Sequence, residues 1–222
     1  MTLSEKYISL SREVAAAGAR LVAVTKTHPI ELIRELYDLG HRDFGENRVG
    51  EFEEKFAALP KDINWHFIGH LQRNKVKNIL DKASLIHSGD SLRLLRELDK
   101  RSENRRVDVL LQYHIAEEES KYGLTRESGR QLMEAVSEEP LRHVRIVGVM
   151  GMATYTDDEE RVAEEFRTLH EIYSELKAEY FLEEPSFREV SMGMSGDYAV
   201  ALKQGSTLVR IGSLLFGERE QP

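Results

Sequence analysis

The chain has 222 residues, of which 41% are hydrophobic and 8% aromatic, so it is long and apolar enough to bury one sizeable core. Its 31 lysines and arginines are outnumbered by 39 aspartates and glutamates, and the formal net charge of -8 disfavours general binding to nucleic acid. The sequence contains no cysteine, which excludes disulfides, thiolate nucleophiles, iron–sulfur clusters and cysteine-based zinc sites.

The first residues predict a helix and not a targeting segment. Leu3, Tyr7, Ile8 and Leu10 follow helical apolar spacing with charged residues between them, and the unbroken apolar stretch of a signal peptide is missing. No apolar run approaches the ~20 residues that span a bilayer. We therefore expect a cytoplasmic protein with no membrane partner.

Beyond this helix, apolar stretches alternate with longer stretches of helical period. Runs such as LVAV and DVLL are typical of strands that are buried on both faces of a parallel sheet. The predicted strands are Arg20–Lys26, Asp43–Asn47, Asn64–Gly69, Ser84–Ser88, Asp108–Ile115, Arg145–Met150, Arg188–Met192 and Thr207–Gly212.

Helices are predicted between these strands, near residues 30–39, 48–58, 73–82, 91–101, 125–138, 158–180 and 196–203. This alternation favours a small (β/α)8 TIM barrel over a doubly wound sheet, because no GxGxxG turn and no change in composition divides the chain into halves. We therefore predict an α/β protein in which residues 1–222 form a single barrel domain.

Polar and small residues follow the predicted strands at their carboxyl ends, which form one mouth in a barrel of this type. These residues are Thr25, Lys26, Glu46, Asn47, His66, His87, Ser88, His114, 148–152, Ser191 and 210–213. The candidate functional groups are therefore expected to converge. A charged loop at 116–123 follows the fifth strand and is a candidate rim or lid.

Lys26 ends the apolar run LVAV. A lysine that points into a barrel mouth is partly desolvated, which lowers the pKa of its amine and makes it a candidate for Schiff-base chemistry. On position alone, a lysine whose amine extends from the strand end to solvent is the alternative.

The last two predicted strands carry Ser191, Ser195, Gly212 and Ser213, which offer hydroxyls and flexible backbone. Loops after strands 7 and 8 of such barrels commonly hold a phosphate, although the same residues also occur simply as turns and helix caps. A phosphate site opposite a lysine on the first strand suggests pyridoxal phosphate.

Arg210 discriminates between kinds of pyridoxal chemistry. A carboxylate beside the pyridine nitrogen keeps it protonated and strengthens the electron sink, whereas an arginine is a permanent donor that disfavours this protonation. A salt bridge across the barrel end is the alternative role of Arg210.

His66 and His70 are four residues apart, a spacing that occurs in metal sites. The sequence offers no HExxH motif and no obvious third ligand beside them, so we predict no metal.

Seven strings carry a family resemblance: VAVTKTHP (22–29), DFGENRV (43–49), WHFIGHLQRNK (65–75), EEESKYG (117–123), GVMGM (148–152), SMGMSGDY (191–198) and GSTLVRIGSLLFG (205–217). In order and over nearly the whole chain they resemble the pyridoxal phosphate homeostasis protein family. The resemblance implies the fold-type III barrel shared with the N-terminal domain of alanine racemase. Two departures, His28 for a frequent lysine and Gly50 for a frequent glutamine, concern surface interactions and leave the cofactor residues unchanged.

The resemblance also implies roles for individual residues. Lys26 should hold pyridoxal 5'-phosphate as an internal aldimine, and Arg210 should face the pyridine nitrogen. The expected phosphate contacts are Ser191, Gly212 and Ser213, with Ser195 as an additional candidate. The expected lining of the ring pocket is Asn47, His66 and Met150.

The function implied is intracellular homeostasis of the cofactor, by buffering it or delivering it to apo-enzymes, without strong catalysis and as a monomer or weak dimer. The chain ends soon after the eighth predicted strand, so we expect no β-rich second domain to supply a catalytic tyrosine. The alternatives are a slow amino-acid racemase that uses Lys26 with water or His66, and a phosphosugar isomerase with Glu46 as base.

Overall fold

Eight parallel strands close into a barrel in the computed structural model, which describes residues 1–102, 105–117 and 122–217. Each strand pairs with its neighbours in sequence, and β1 pairs with β8. The strands are β1 (Arg20–Val24), β2 (Asp43–Glu46), β3 (Asn64–Phe67), β4 (Leu85–Gly89), β5 (Val107–Gln112), β6 (Val144–Met150), β7 (Glu189–Ser191) and β8 (Leu208–Ile211). The predicted (β/α)8 fold class is confirmed.

Helices surround the barrel on its outer face. They are α1 (Leu3–Ala16), α2 (Ile30–Asp38), α3 (Val49–Ala58), α4 (Val76–Ile79), α5 (Leu92–Arg101), α6 (Arg126–Glu138), α7 (Glu159–Tyr180), α8 (Tyr198–Lys203) and α9 (Ser213–Phe216). The helix predicted near 73–82 consists of a 3-10 turn at Arg73–Lys75 followed by the short α4. Helix α9 is the one that the sequence analysis did not predict among the residues described.

Sequence signals account for the helix starts and for the outer core. Thr2 and Glu5 form a reciprocal capping box at α1, which satisfies backbone N–H groups of its first turn. Outward-facing strand residues pack against the helices: Trp65 lies against Phe44 and Phe52, with ring centroids 6.0 and 5.8 Å apart. The apolar layer between sheet and helices is therefore continuous.

Alternate side chains of each strand point into the barrel, because successive residues of a strand face opposite sides. On β1 the inward-facing positions are Arg20, Val22 and Val24. The same alternation places Lys26, two residues beyond the end of the strand, on the inner side. The interior contains an apolar cluster made of Val22, Leu85, Leu110, Val147, Met150 and Leu208.

Charged side chains surround the amino end of the barrel and line a cavity of about 460 Å³. Arg20 donates to Glu189 at 2.7 Å, and Arg145 donates to both carboxylate oxygens of Asp108 at 2.8 and 2.7 Å. Asp43 also lines this cavity, with a carboxylate oxygen 3.8 Å from Arg20. This end is opposite the mouth that the strand carboxyl ends form.

Two predicted features fall outside the described residues. Residues 118–121 of the predicted rim loop are among them, and so is the tail at 218–222. Within the described residues, no helix combines the length and apolar character needed to cross a membrane.

Candidate functional site

Lys26 follows β1 at the mouth of the barrel. Lys26 is half-buried, and it continues the alternation that places Val22 and Val24 on the inner side of β1, which favours the barrel interior for its side chain. The alternative of a lysine simply extending to solvent is less consistent with this placement.

The backbone around Lys26 is held in a specific and strained conformation. Thr27, a β-branched residue, has a φ of 67°, in the left-handed region that such residues rarely adopt. Its N–H donates to Glu51 at 2.7 Å, and its hydroxyl donates to the carbonyl of Lys26 at 2.6 Å. Strain of this kind costs roughly 1–3 kcal/mol and accumulates at functional sites, where surrounding contacts maintain it.

A buried ion pair supports the same segment from the helix side. Lys55 of α3 donates to Glu46 and to the carbonyl of Thr25, each at 2.7 Å, and the hydroxyl of Thr25 donates to Glu46 at 2.6 Å. Burial raises the pKa of the Glu46 carboxyl above its usual value, although Lys55 and Thr25 oppose this. Glu46 thus faces α3 and not the barrel interior, which leaves the isomerase hypothesis without its base.

Sequence reasoning missed Lys55 and Glu51. The available signal was their spacing of four residues on a predicted helix, with glutamate on the amino-terminal side, which is a stabilising pair on helices. The spacing alone does not reveal that Lys55 turns inward to the residue before Lys26.

Arg210 of β8 is buried inside the barrel. Its Nη1 donates to the carbonyl and hydroxyl oxygens of Ser191 at 2.8 and 2.7 Å, and its Nη2 donates to the carbonyl of Gly151 at 3.0 Å. Burial lowers the pKa of the guanidinium to about 10, so it remains charged at neutral pH. All three acceptor atoms of these hydrogen bonds are neutral, and a buried cation held in this way is typical of functional sites.

The Ser191 side chain at the end of β7 is fully buried, and its hydroxyl bonds to two side chains of the barrel interior. Its Oγ is 2.7 Å from Nη1 of Arg210 and 2.9 Å from Nδ1 of His87. His66 lies beyond His87, with Nδ1 of His66 2.9 Å from Nε2 of His87, and it contacts Asp43 at the amino-end cavity. The contacts of Ser191 and His66 therefore belong to the barrel interior below the mouth.

Two backbone N–H groups near α9 converge on one oxygen. The N–H groups of Gly212 and Leu214 donate to Oγ of Ser195 at 3.2 and 3.3 Å. Ser213 lies between them and is exposed. Oxygen is the element that a phosphate would present to these donors, so Ser195 occupies a position suited to a phosphate oxygen.

Gly193 explains part of the glycine-rich string before Ser195. Its φ is 94°, and a Cβ there would lie 2.6 Å from the Cβ of Ala201. A residue with a side chain would be strained and would clash with α8. The carbonyl of Gly193 accepts from the N–H of Arg210 at 2.9 Å, so this turn sets the loop against β8.

Asn47 and Met150 flank the interior near the mouth. Asn47 follows β2, and its Oδ1 is buried without a hydrogen-bond partner in the described part of the chain. Buried polar atoms are normally satisfied, so an unsatisfied one at a barrel mouth indicates a place for a polar ligand atom. Met150 ends β6 within the apolar interior cluster, immediately before Gly151, which binds Arg210.

Comparisons with known proteins identify the family. The family model described as "Alanine racemase, N-terminal domain" matches residues 3–220. The pyridoxal phosphate homeostasis protein of Aquifex aeolicus (strain VF5) is 44% identical over 205 residues, which cover 91% of this chain and 88% of that protein. The chain belongs to the pyridoxal phosphate homeostasis protein family.

Solved structures agree with this assignment. PipY of Synechococcus elongatus without PLP has a TM-score of 0.88 and 33% identity to this chain, covering 97% of this chain and 100% of that one. The PipY structure with PLP bound has the same coverage and identity and a TM-score of 0.85. The resemblance found in the sequence is therefore confirmed.

In this member of the pyridoxal phosphate homeostasis protein family, the residues singled out from the sequence form two groups. Residues at the mouth are Lys26, Asn47, Met150, Ser195, Gly212 and Ser213, and residues joined by hydrogen bonds in the barrel interior are His66, Ser191 and Arg210. The sequence strings at 22–29 and 205–217, which contain parts of the paired strands β1 and β8, also contact each other: His28 packs on Phe216 with ring centroids 4.6 Å apart.

Proposed function

We propose that the chain binds pyridoxal 5'-phosphate at the barrel mouth and serves in its intracellular homeostasis, by buffering it or delivering it to apo-enzymes in the cytoplasm. The observation that carries the proposal is the inward-facing Lys26 at the same mouth as the converging N–H groups of Gly212 and Leu214. When bound, pyridoxal phosphate would supply a reactive aldehyde, and the Lys26 amine would be the group that holds it covalently.

The residues present fit this cofactor. The N–H groups of Gly212 and Leu214 suit a phosphate oxygen, with Ser195 and Ser213 beside them. Buried Asn47 Oδ1 lacks a partner among the described residues, and because an amide oxygen only accepts, a hydroxyl donor on the ring would satisfy it. We assign Arg210 to the pyridine nitrogen and Ser191 to the support of Arg210, since the Ser191 hydroxyl binds that side chain.

The site suits a carrier better than a catalyst. A guanidinium with a pKa of about 10 keeps its protons at neutral pH, so it does not protonate a pyridine nitrogen as a carboxylic acid would. A racemase also needs a second base on the opposite face of the ring. His66 faces Asp43 and His87 below the mouth, which leaves it poorly placed for that role.

Replacing Gly212 tests the phosphate end of the site. A Cβ at Gly212 would lie 3.4 Å from the carbonyl oxygen of Val24, an ordinary contact, and the φ of -119° suits any residue. Gly212→Asp should therefore fold but place a negative charge beside the phosphate, and we expect affinity to fall roughly tenfold to a hundredfold.

The measurement is a titration with pyridoxal phosphate, followed by absorbance, of wild type, Gly212→Asp and Gly212→Asn. The asparagine variant has the same shape without the charge and should lose far less affinity. Equal affinities in all three proteins would place the phosphate elsewhere. No uptake by the wild type would overturn the proposed function.

Exchange of the α-hydrogen of amino acids tests the carrier role against the racemase alternative. In heavy water, we expect no Lys26-dependent deuterium incorporation into alanine or serine at ordinary enzyme rates, on the order of 1–10³ per second. The comparison is loaded wild type against Lys26→Ala. Exchange at such rates in the wild type alone would establish the racemase, whereas transfer of cofactor to an apo-enzyme is the activity expected of a carrier.

A further inference from the structure

Five polar side chains follow one another through the barrel interior, from the amino-end cavity to Arg210. Oδ1 of Asp43 lies 3.0 Å from Nε2 of His66, and Nδ1 of His66 lies 2.9 Å from Nε2 of His87. Nδ1 of His87 lies 2.9 Å from Oγ of Ser191, which accepts from Arg210 at 2.7 Å. The five residues lie on five different strands of the barrel, β2, β3, β4, β7 and β8. They form one unbroken chain of hydrogen bonds, which we call the interior chain.

The residues at the two ends of the interior chain determine the direction in which its hydrogen bonds are donated. A guanidinium only donates hydrogen bonds, so Ser191 must accept from Arg210. An ionised carboxylate only accepts, so His66 must donate its Nε2–H to Asp43. Burial raises the pKa of the Asp43 carboxyl, but the hydrogen bond from His66, together with the electrostatic effects of His66, Arg20 and His41, outweighs burial and lowers the pKa overall, so this end is ionised at neutral pH.

When both imidazole rings are neutral, the two ends of the interior chain determine which ring nitrogens carry the hydrogens. His66 carries its hydrogen on Nε2, so its Nδ1 accepts from Nε2–H of His87. Nδ1 of His87 then accepts the hydroxyl hydrogen of Ser191. The other four members therefore each donate in the direction of Asp43, and both histidines are the Nε2–H tautomer. Burial lowers the pKa of His87 well below its usual value, in keeping with a neutral ring.

We propose that His87, His66 and Asp43 are positioning residues for Arg210. By drawing the Ser191 hydrogen toward His87, the interior chain leaves the Ser191 oxygen free to accept from the guanidinium and holds Arg210 in one orientation toward the mouth. This role rests on the proposed function, since it concerns the cofactor that Arg210 would face. Of the five members, sequence reasoning assigned cofactor roles to Arg210, Ser191 and His66.

The first experiment needs no cofactor. Nitrogen-15 NMR of the histidine rings, at about pH 8.5 where ordinary imidazoles are neutral, reports which nitrogen of each ring carries the hydrogen. We expect Nε2–H at both His66 and His87. A hydrogen on Nδ1 of either ring at this pH would overturn the proposal.

Asp43→Asn then tests whether the residues act as one chain. The substitution keeps the shape but removes the charge, so the nitrogen shifts of His66 should change and the change should propagate to His87, which Asp43 does not touch. Asp108→Asn is the matched control, because Asp108 lines the same cavity but binds Arg145 instead of a histidine. A response confined to His66, or equal responses to both substitutions, would contradict the interior chain.

The second experiment measures cofactor affinity. In His87→Leu the Ser191 hydroxyl loses its acceptor, and we expect binding to weaken about tenfold. His87→Asn returns an acceptor near the position of Nδ1 and should recover most of that affinity. A folded His87→Leu protein that binds like wild type, or an asparagine variant no better than leucine, would refute the positioning role. If the wild type binds no cofactor, the proposed function fails, and the NMR result still decides the interior chain.

Discussion

Lys26→Met is expected to abolish covalent retention of pyridoxal phosphate. After incubation with the cofactor and borohydride reduction, mass spectrometry should find the reduced adduct on Lys26 of the wild type and none on the variant. Methionine keeps most of the side-chain volume at this inward position while removing the amine. Reversible binding should persist in a weakened form, because the N–H groups of Gly212 and Leu214 remain.

Lys55 is a second lysine close to Lys26 and serves as an internal control for the specificity of the modification. Its amine donates to the carbonyl of Thr25 and to Glu46, so it lies beside the residue before Lys26. It is nevertheless buried and bound within an ion pair, and it would have to break that pair to react. Peptide mapping should therefore leave Lys55 unmodified. An adduct on Lys55, or an unchanged yield in Lys26→Met, would refute the assignment.

Lys55→Met should be the most destabilising of these substitutions. Lys55 and Glu46 are almost fully buried, and removal of one partner leaves an uncompensated charge, which typically costs about 3–5 kcal/mol. Urea unfolding reports the loss through Trp65, the single tryptophan, which is buried in the outer core. Lys82→Met is the matched control, because Lys82 pairs with Glu53 at the surface, where pairs are worth roughly 0–1 kcal/mol.

The pH dependence of this variant has a definite sign. Without Lys55, burial should raise the pKa of the Glu46 carboxyl further in the folded state, whereas the unfolded chain keeps the ordinary pKa. The folded state then binds the proton more tightly, so stability rises as pH falls through the interval between the two pKa values. Glu46→Gln combined with Lys55→Met should recover part of the loss. A deficit that is constant from neutral to mildly acidic pH would contradict this account.

The sequence was sufficient to predict the barrel and the end of the barrel at which its mouth lies. Apolar runs separated by helical periods locate the strands, and strand parity alone puts Lys26 on the same side as Val22 and Val24. Strand ends were less predictable. The predicted first strand extends to Lys26 but the observed one ends at Val24, because Thr25 and Thr27 turn their polar groups to Glu46 and Glu51.

Contacts between distant segments were not predictable from local patterns. His87 and Ser191 are 104 residues apart and are joined only by closure of the barrel. The sequence placed Ser191 among the expected phosphate contacts, but no local pattern indicated that its hydroxyl also bonds to Arg210 and His87. Ser195 was only an additional candidate, since its meeting with Gly212 depends on the turn at Gly193.

The hydroxyl of Ser195 acts as an internal surrogate for the ligand it would face. At the site proposed above, a phosphate oxygen would replace this hydroxyl at the N–H groups of Gly212 and Leu214, and the hydroxyl would return when the phosphate leaves. Because neither state exposes naked donors, the loaded and unloaded forms differ less in free energy than the hydrogen bonds themselves would indicate. Under the proposed function, firm retention would then depend on the covalent bond to Lys26, which water can hydrolyse, so both attachments would be reversible.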